Sequence, residues 1–96
     1  MANPEINIKP KHLAEGRALV AQHILDGKVI EERAIYKILG RRLVEGQEPD
    51  LLLQAQGGQV IQFPESEVLR GGNYWMRITG ILSREEVAGI FFAPIK

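Results

Sequence analysis

The chain has 96 residues, of which 45% are hydrophobic and 25% are charged, and its 12 basic residues balance its 12 acidic residues. This composition is typical of one folded domain and excludes a disordered chain. Zero net charge excludes global electrostatic attraction to nucleic acid or to an anionic membrane, and it is compatible with self-association. The lack of cysteine excludes disulfides, thiolate metal sites and thiol catalysis.

The N-terminal region is predicted to be a short arm, residues 1–9. Ile6 and Ile8 alternate with polar residues there, which predicts either an edge strand or a frayed terminus. The arm has no charged-then-apolar signal pattern, and no apolar run in the chain approaches the roughly 18–20 residues that span a bilayer. We therefore expect a cytoplasmic protein that has no membrane segment.

Residues 10–46 are predicted to form two helices, because their apolar residues recur at three- and four-residue spacing. The first helix would begin at Pro10 and end before Gly27. The second would run from about Val29 to Glu45. The short link at residues 26–28 then predicts a helical hairpin.

From Pro49 onward the apolar period changes to two, and residues 49–96 are predicted to form two β-hairpins. A three-residue loop at residues 56–58 pairs Leu53 with Ile61 and Leu51 with Phe63. That register collects the apolar side chains on one face, whereas a two-residue loop would mix the faces. Residues 64–70 are predicted to form a helical turn that ends at the following pair of glycines.

The second predicted hairpin joins residues 73–82 to residues 87–95. Ser83 and Glu86 also fit a capping box, so a short helical turn between them is the alternative. Together these elements predict an α+β fold, with an N-terminal helical hairpin packed on a C-terminal antiparallel sheet of about four strands. Both faces of the second hairpin are apolar, so one of them is expected to need a cover from a partner.

Catalytic motifs are lacking in the sequence. His12 and His23 would lie on one helix roughly 16 Å apart, too far to share a metal, and they are interpreted as surface histidines. Ser66 and Ser83 are not in a nucleophile motif. We therefore expect a non-enzymatic protein that uses neither a cofactor nor a metal.

The leading hypothesis is a regulatory or adaptor protein that binds another protein, or a second copy of itself as a homo-oligomer, through the C-terminal hairpin. Tryptophan and arginine are enriched where interfaces hold most of their binding energy. The predicted protein-binding residues are Trp75, Arg77, Ile90 and Phe92.

The alternative hypothesis is a dimeric DNA-binding regulator that uses the basic face of the second predicted helix. Residues at four-residue spacing on that helix could follow a phosphate backbone. The competing interpretation, a solvated helix face partly neutralised by Glu45, is favoured because the chain is not basic overall. The predicted nucleic-acid-binding residues are Arg33, Lys37, Arg41 and Arg42.

Overall fold

The computed structural model describes residues 8–95. They form one antiparallel sheet of five strands in the order β4-β3-β2-β1-β5. Most of the predicted N-terminal arm, residues 1–7, lies outside the described residues. The elements in chain order are a 3-10 helix Pro10–Leu13, β1 Ala18–Leu25, β2 Lys28–Arg42, β3 Asp50–Ala55, β4 Val60–Pro64, α1 Glu65–Leu69, β5 Met76–Leu82 and α2 Arg84–Ala88.

The predicted N-terminal helical hairpin is wrong, because β1 and β2 form a β-hairpin instead. Leu25 pairs with Lys28 across a two-residue turn. Asp26 has a φ of 52° and Gly27 a φ of 77°, and two consecutive positive φ values are those of a type I′ turn, whose twist matches that of paired strands. The Asp-Gly pair is therefore a hairpin signal rather than the end of a helix.

The helical spacing of residues 10–46 results from irregular strand pairing. The β1–β2 ladder changes register on both sides of His23, and the β2–β3 ladder changes register between Ile38 and Gly40. Each extra residue moves the next apolar side chain away from a period of two, toward spacings of three and four. In addition, β1 lies between two strands and is buried on both faces around Ala18 and Leu19, which removes the alternation expected of a strand.

The first predicted β-hairpin is confirmed with its register. Leu53 pairs with Ile61 and Leu51 pairs with Phe63, and Ala55 N–H donates to the Gln59 carbonyl oxygen at 2.8 Å. The helical turn predicted after it is also confirmed as α1, which the two glycines at 71 and 72 terminate. In this hairpin Leu51, Leu53 and Phe63 are buried, whereas Val60 and Gln62 are exposed, so that burial of the apolar side chains specifies the register.

The second predicted β-hairpin is wrong. Residues 84–88 form α2, and β5 pairs with β1 rather than with the residues that follow α2. The alternative capping box is present: Glu86 N–H donates to the Ser83 hydroxyl at 3.2 Å, and Ser83 N–H donates to the Glu86 carboxylate at 3.1 Å. This cap begins a helix at the point where a hairpin loop would have reversed the chain.

The sheet has one core on each face. The larger core includes Leu19, Tyr36, Ile38, Leu51, Leu53, Phe63, Val68, Met76 and Ile78. The smaller core joins Ala18 and Ile35 to Val87, with the partly buried Leu82, Ile90 and Phe92 against them. Residues after α2 are held over this second face, where the Gln54 side-chain amide donates to the Ala93 carbonyl oxygen at 2.9 Å. The chain therefore provides part of the cover that the sequence pattern assigns to a partner.

Candidate protein-binding site

Strand β2 is longer than the strand beside it. It has 15 residues, but β3 pairs with it only between Tyr36 and Arg42. Beyond Ala55, the chain turns away into β4. Among residues 8–95, no strand pairs with residues 28–35 of β2 on this side. We call residues 28–35 the open edge, since backbone N–H and C=O groups on such an edge are available to another strand.

Exposed apolar side chains are grouped where the β1–β2 hairpin turns. Leu25 is 59% exposed, Val29 is 40% exposed and Ile30 is 63% exposed. Tyr74, which is 88% exposed, is near this turn because the residue after it, Trp75, accepts a backbone hydrogen bond from Ile24 at 2.8 Å. Grouped exposed apolar residues are more typical of interaction sites than single ones.

A cleft of about 360 Å³ lies beside the open edge, at the point where β3 ends. We call it the notch. One wall comes from β1 and β2, and the other comes from the β3–β4 turn with its flanking residues. Its lining residues are His23, Glu31, Ala34, Ile35, Tyr36, Ala55, Gln56, Gly57, Gln59 and Ile61.

Three polar side chains form a hydrogen-bonded chain in the notch. The Nε2 atom of His23 lies 2.5 Å from the Tyr36 hydroxyl oxygen, and its Nδ1 atom lies 3.1 Å from a carboxylate oxygen of Glu31. Strand pairing sets this geometry, because His23 is directly opposite Glu31. The imidazole ring also lies 6.0 Å from the ring of Trp75, which has an edge contact with Phe63 at 5.7 Å. Both ring nitrogens of His23 thus have a hydrogen-bonding partner, and the imidazole ring packs beside an aromatic side chain.

The pKa of the Tyr36 phenol is raised above its ordinary value of 10, first by burial and then by the negative charge of Glu31. At neutral pH the phenol is therefore protonated. When the phenol donates to His23 Nε2, the ring proton is on Nδ1 and donates to Glu31, so that all three side chains are hydrogen-bonded.

Because the pKa of the Tyr36 phenol is raised, we expect the protein to lose stability in alkaline solution. Because the folded-state pKa is raised, its stabilising contribution is fully present below the unfolded value of about 10 and is lost as pH rises through the folded value. Urea unfolding from neutral pH to beyond pH 10 should show this decline, and Tyr36→Phe should flatten it. If both proteins decline identically, burial of this phenol is not the cause.

The four predicted protein-binding residues are not brought together. Trp75 packs against the larger core and Arg77 is exposed on β5, whereas Ile90 and Phe92 pack against the smaller core on the opposite face. The hairpin that was expected to join them is not formed. Binding by these residues stays a prediction, but they do not make one continuous surface.

The four predicted nucleic-acid-binding residues lie on a strand rather than on a helix. The Lys37 ammonium lies 5.9 Å from the centre of the Phe92 ring, and the Arg41 guanidinium contacts both carboxylate oxygens of Glu65 at 2.5 and 3.2 Å. Arg33 and Arg42 are exposed and nine positions apart on β2. The spacing that aligns these side chains on a helix does not align them on a bulged strand, so the basic stripe is not formed. Nucleic-acid binding itself stays a prediction.

Sequence reasoning did not find the notch. On the predicted helices, His23 is interpreted as a surface histidine, and no contact with Glu31 is predicted. The available signal was Asp26-Gly27, since a two-residue turn there places Leu25 opposite Lys28 and brings His23 close to Glu31. Tyr36 could not be added from local sequence, because a register shift intervenes.

Similarity to known proteins provides no assignment. Comparisons with protein-family models, with curated proteins and with solved structures found no match to this chain. Within residues 8–95, no group of three or more potential metal-ligating side chains is found. In the same part of the chain, none of the helices has the length and apolar character needed to cross a membrane.

Proposed function

We propose that this protein is a non-enzymatic regulatory or adaptor protein that binds a protein partner by adding a strand of that partner to the open edge of β2. The observation that carries the proposal is the length of β2 beyond its last pairing with β3, at Tyr36 and Ala55. Strand addition is a common mode of peptide recognition, in which backbone hydrogen bonds provide affinity and side-chain pockets provide specificity.

The directions in which the backbone N–H and C=O groups of β2 point support strand addition. Ile38 N–H donates to the Arg17 carbonyl oxygen at 2.8 Å, and the Ile38 carbonyl oxygen accepts from Gly16 N–H at 2.9 Å, both on the β1 side. Since these groups alternate along a strand, those of Lys37 and Ile35 point to the opposite side. Lys37 pairs there with Gln54, and beside Ile35 the described residues place no strand. An added strand would therefore continue the line of β3.

The side chains near the open edge provide both contact and selectivity. Val29 and Ile30 offer apolar surface to an incoming segment. Glu31, Glu32 and Arg33 are exposed and charged, and charged residues on a strand edge disfavour indiscriminate pairing. The partner is then another protein, or a second copy of the chain in a homo-oligomer.

The proposal predicts that positive charge added next to the turn of the β1–β2 hairpin weakens binding. Peptides selected on this protein from a random-peptide display library should protect from hydrogen exchange those amides of residues 28–35 that point away from β1. The double variant Val29→Lys, Ile30→Lys should weaken their binding by at least about tenfold, because lysine on a strand edge opposes pairing. Light scattering on the same proteins tests whether the partner is a second copy.

The matched control is Leu43→Lys, since Leu43 is 70% exposed and lies outside both the open edge and the notch. It should bind the selected peptides like the unchanged protein. The proposal is wrong if the selected peptides protect other residues, or if both lysine variants reduce binding equally. Protection of the Ile35 amide in the isolated chain would also contradict it, because that amide points away from β1 and the edge would then be covered.

A further inference from the structure

The notch has the composition of a site for a positively charged side chain. Glu31 contributes a carboxylate to its lining, and no lysine or arginine of residues 8–95 lines it. Among the described residues, the only basic side chain within ion-pair distance of Glu31 is the His23 imidazole, at 3.1 Å. Glu31 is also the only carboxylate among the described residues that line the notch.

The hydrogen-bonding capacity of Glu31 is only partly used. One carboxylate oxygen accepts from His23 Nδ1, and an ionised carboxylate has further acceptor positions on both oxygens. The Tyr36 hydroxyl oxygen has two lone pairs, and at least one of them remains an acceptor on the same wall beside the contact with His23. This wall thus presents acceptors to the notch, which is the arrangement that a guanidinium or ammonium group requires.

The remaining lining completes such a site. Gln56 and Gln59 line the opposite wall, and carbonyl oxygens of glutamine are hydrogen-bond acceptors. Gln59 folds over Gly57, where a Cβ atom would lie 2.7 Å from its amide oxygen. Ile35 and Ile61 provide apolar surface for the methylene stem of a long side chain. The volume of about 360 Å³ is at the lower end of the range of about 300–1,000 Å³ for ligand sites.

We infer that the notch binds a cationic side chain, arginine or lysine, carried by the segment that pairs with the open edge. This inference rests on the strand addition proposed above. Glu31, Ala34 and Ile35 line the notch and also belong to the open edge, so a paired segment passes directly beside it. The cationic group contacts Glu31 while the backbone of its segment pairs with β2.

The test is a titration of the full chain with N-acetyl-arginine methylamide, followed by amide chemical shifts. The neutral citrulline analogue is the matched probe. The arginine probe should shift signals of Gly57 and Gln59 with a millimolar dissociation constant, and citrulline should bind much more weakly. Glu31→Gln keeps the shape but removes the charge, and it should weaken binding of the arginine probe about tenfold. Glu32→Gln removes the neighbouring charge, which contacts Gln22 at 3.4 Å, and it should leave binding unchanged.

Equal binding of arginine and citrulline, equal effects of the two glutamate variants, or shifts confined to other residues would overturn the inference. So would the absence of shifts at concentrations that saturate a millimolar site. These outcomes can be distinguished from a failure of strand addition at the open edge. Selected peptides that protect residues 28–35 but contain no basic residue support strand addition and overturn the notch as a cation site. Conversely, selected peptides that ignore residues 28–35 contradict both.

Discussion

Gly72→Ala is expected to lower the free energy of unfolding by about 2–5 kcal/mol. Gly72 has a φ of +112°, and a Cβ atom there would overlap the carbonyl oxygen of Met76 and lie 3.0 Å from its carbonyl carbon. These are backbone atoms, so the collision cannot be relieved by a side-chain rotation. The left-handed backbone contributes about 1–2 kcal/mol of this cost, and the displacement of packed backbone contributes about 1–3 kcal/mol.

The collision would occur at the connection between α1 and β5. Gly72 forms a bridge with Arg77, and Asn73 N–H donates to the Met76 carbonyl oxygen at 2.8 Å. Displacing Met76 would also disturb the larger core, where its side chain is fully buried. The expected result is therefore loss of β5 pairing as well as local strain.

Gly71→Ala is the matched control for this prediction. Gly71 also has a positive φ, +95°, but no atom lies within 4 Å of an added Cβ. Its substitution should cost only the backbone term, about 1–2 kcal/mol. Urea unfolding followed by circular dichroism measures both variants. Equal losses would show that the contact with Met76 is relieved in solution.

Trp75→Ala is expected to lower the free energy of unfolding by about 3 kcal/mol, because a large aromatic side chain would leave a cavity against the larger core. Its ring contacts Phe63 and lies beside His23, at centroid distances of 5.7 and 6.0 Å. Its backbone N–H donates to the Asn73 side-chain oxygen at 3.0 Å, which fixes the chain before β5. Loss of the indole ring also removes the aromatic side chain that packs beside His23 in the notch.

Tyr74→Ala is the matched control, since Tyr74 is the preceding residue and is 88% exposed. It should change the free energy of unfolding by less than about 0.5 kcal/mol. Urea unfolding followed by circular dichroism is suitable for both, because Trp75 is the only tryptophan and its fluorescence is lost in the variant. Equal stability of the two variants would show that Trp75 is a surface residue.

The comparison matters for the protein-binding hypothesis. Trp75 was predicted to be an interface residue because tryptophan is enriched in such positions, but tryptophan is also a frequent partly buried core residue. If Trp75→Ala weakens association, destabilisation of the fold explains the result equally well. Val29 and Ile30 are better test positions, since both are exposed and next to the open edge.

Part of the structure of the C-terminal half could be predicted from local sequence signals. The hairpin β3–β4 follows from its alternation and its three-residue loop, and α1 follows from the glycines that end it. The capping box at Ser83 follows from two residues three positions apart. Each of these signals consists of residues that are close together in the sequence. It can therefore be interpreted without knowing which distant strands pair.

The N-terminal half could not be interpreted in this way, because its pattern depends on pairing with distant strands. The faces of β1 are buried by residues distant in sequence, which include Val68 in the larger core and Val87 and Phe92 in the smaller core, and irregular pairing gives β2 an apparent helical period. The Asp26-Gly27 turn was the one local signal that favoured strands.

By itself, the sequence determined a single folded domain, one correct hairpin register and the helical turn α1, while α2 was only the alternative to a hairpin. Only the tertiary structure decided that β2 extends beyond β3 and that His23, Glu31 and Tyr36 meet beside the open edge. The physical reason is that whether one strand extends beyond its neighbour depends on the length and register of both strands. Likewise, a hydrogen-bonded chain across two strands depends on a register that bulges can shift by one residue.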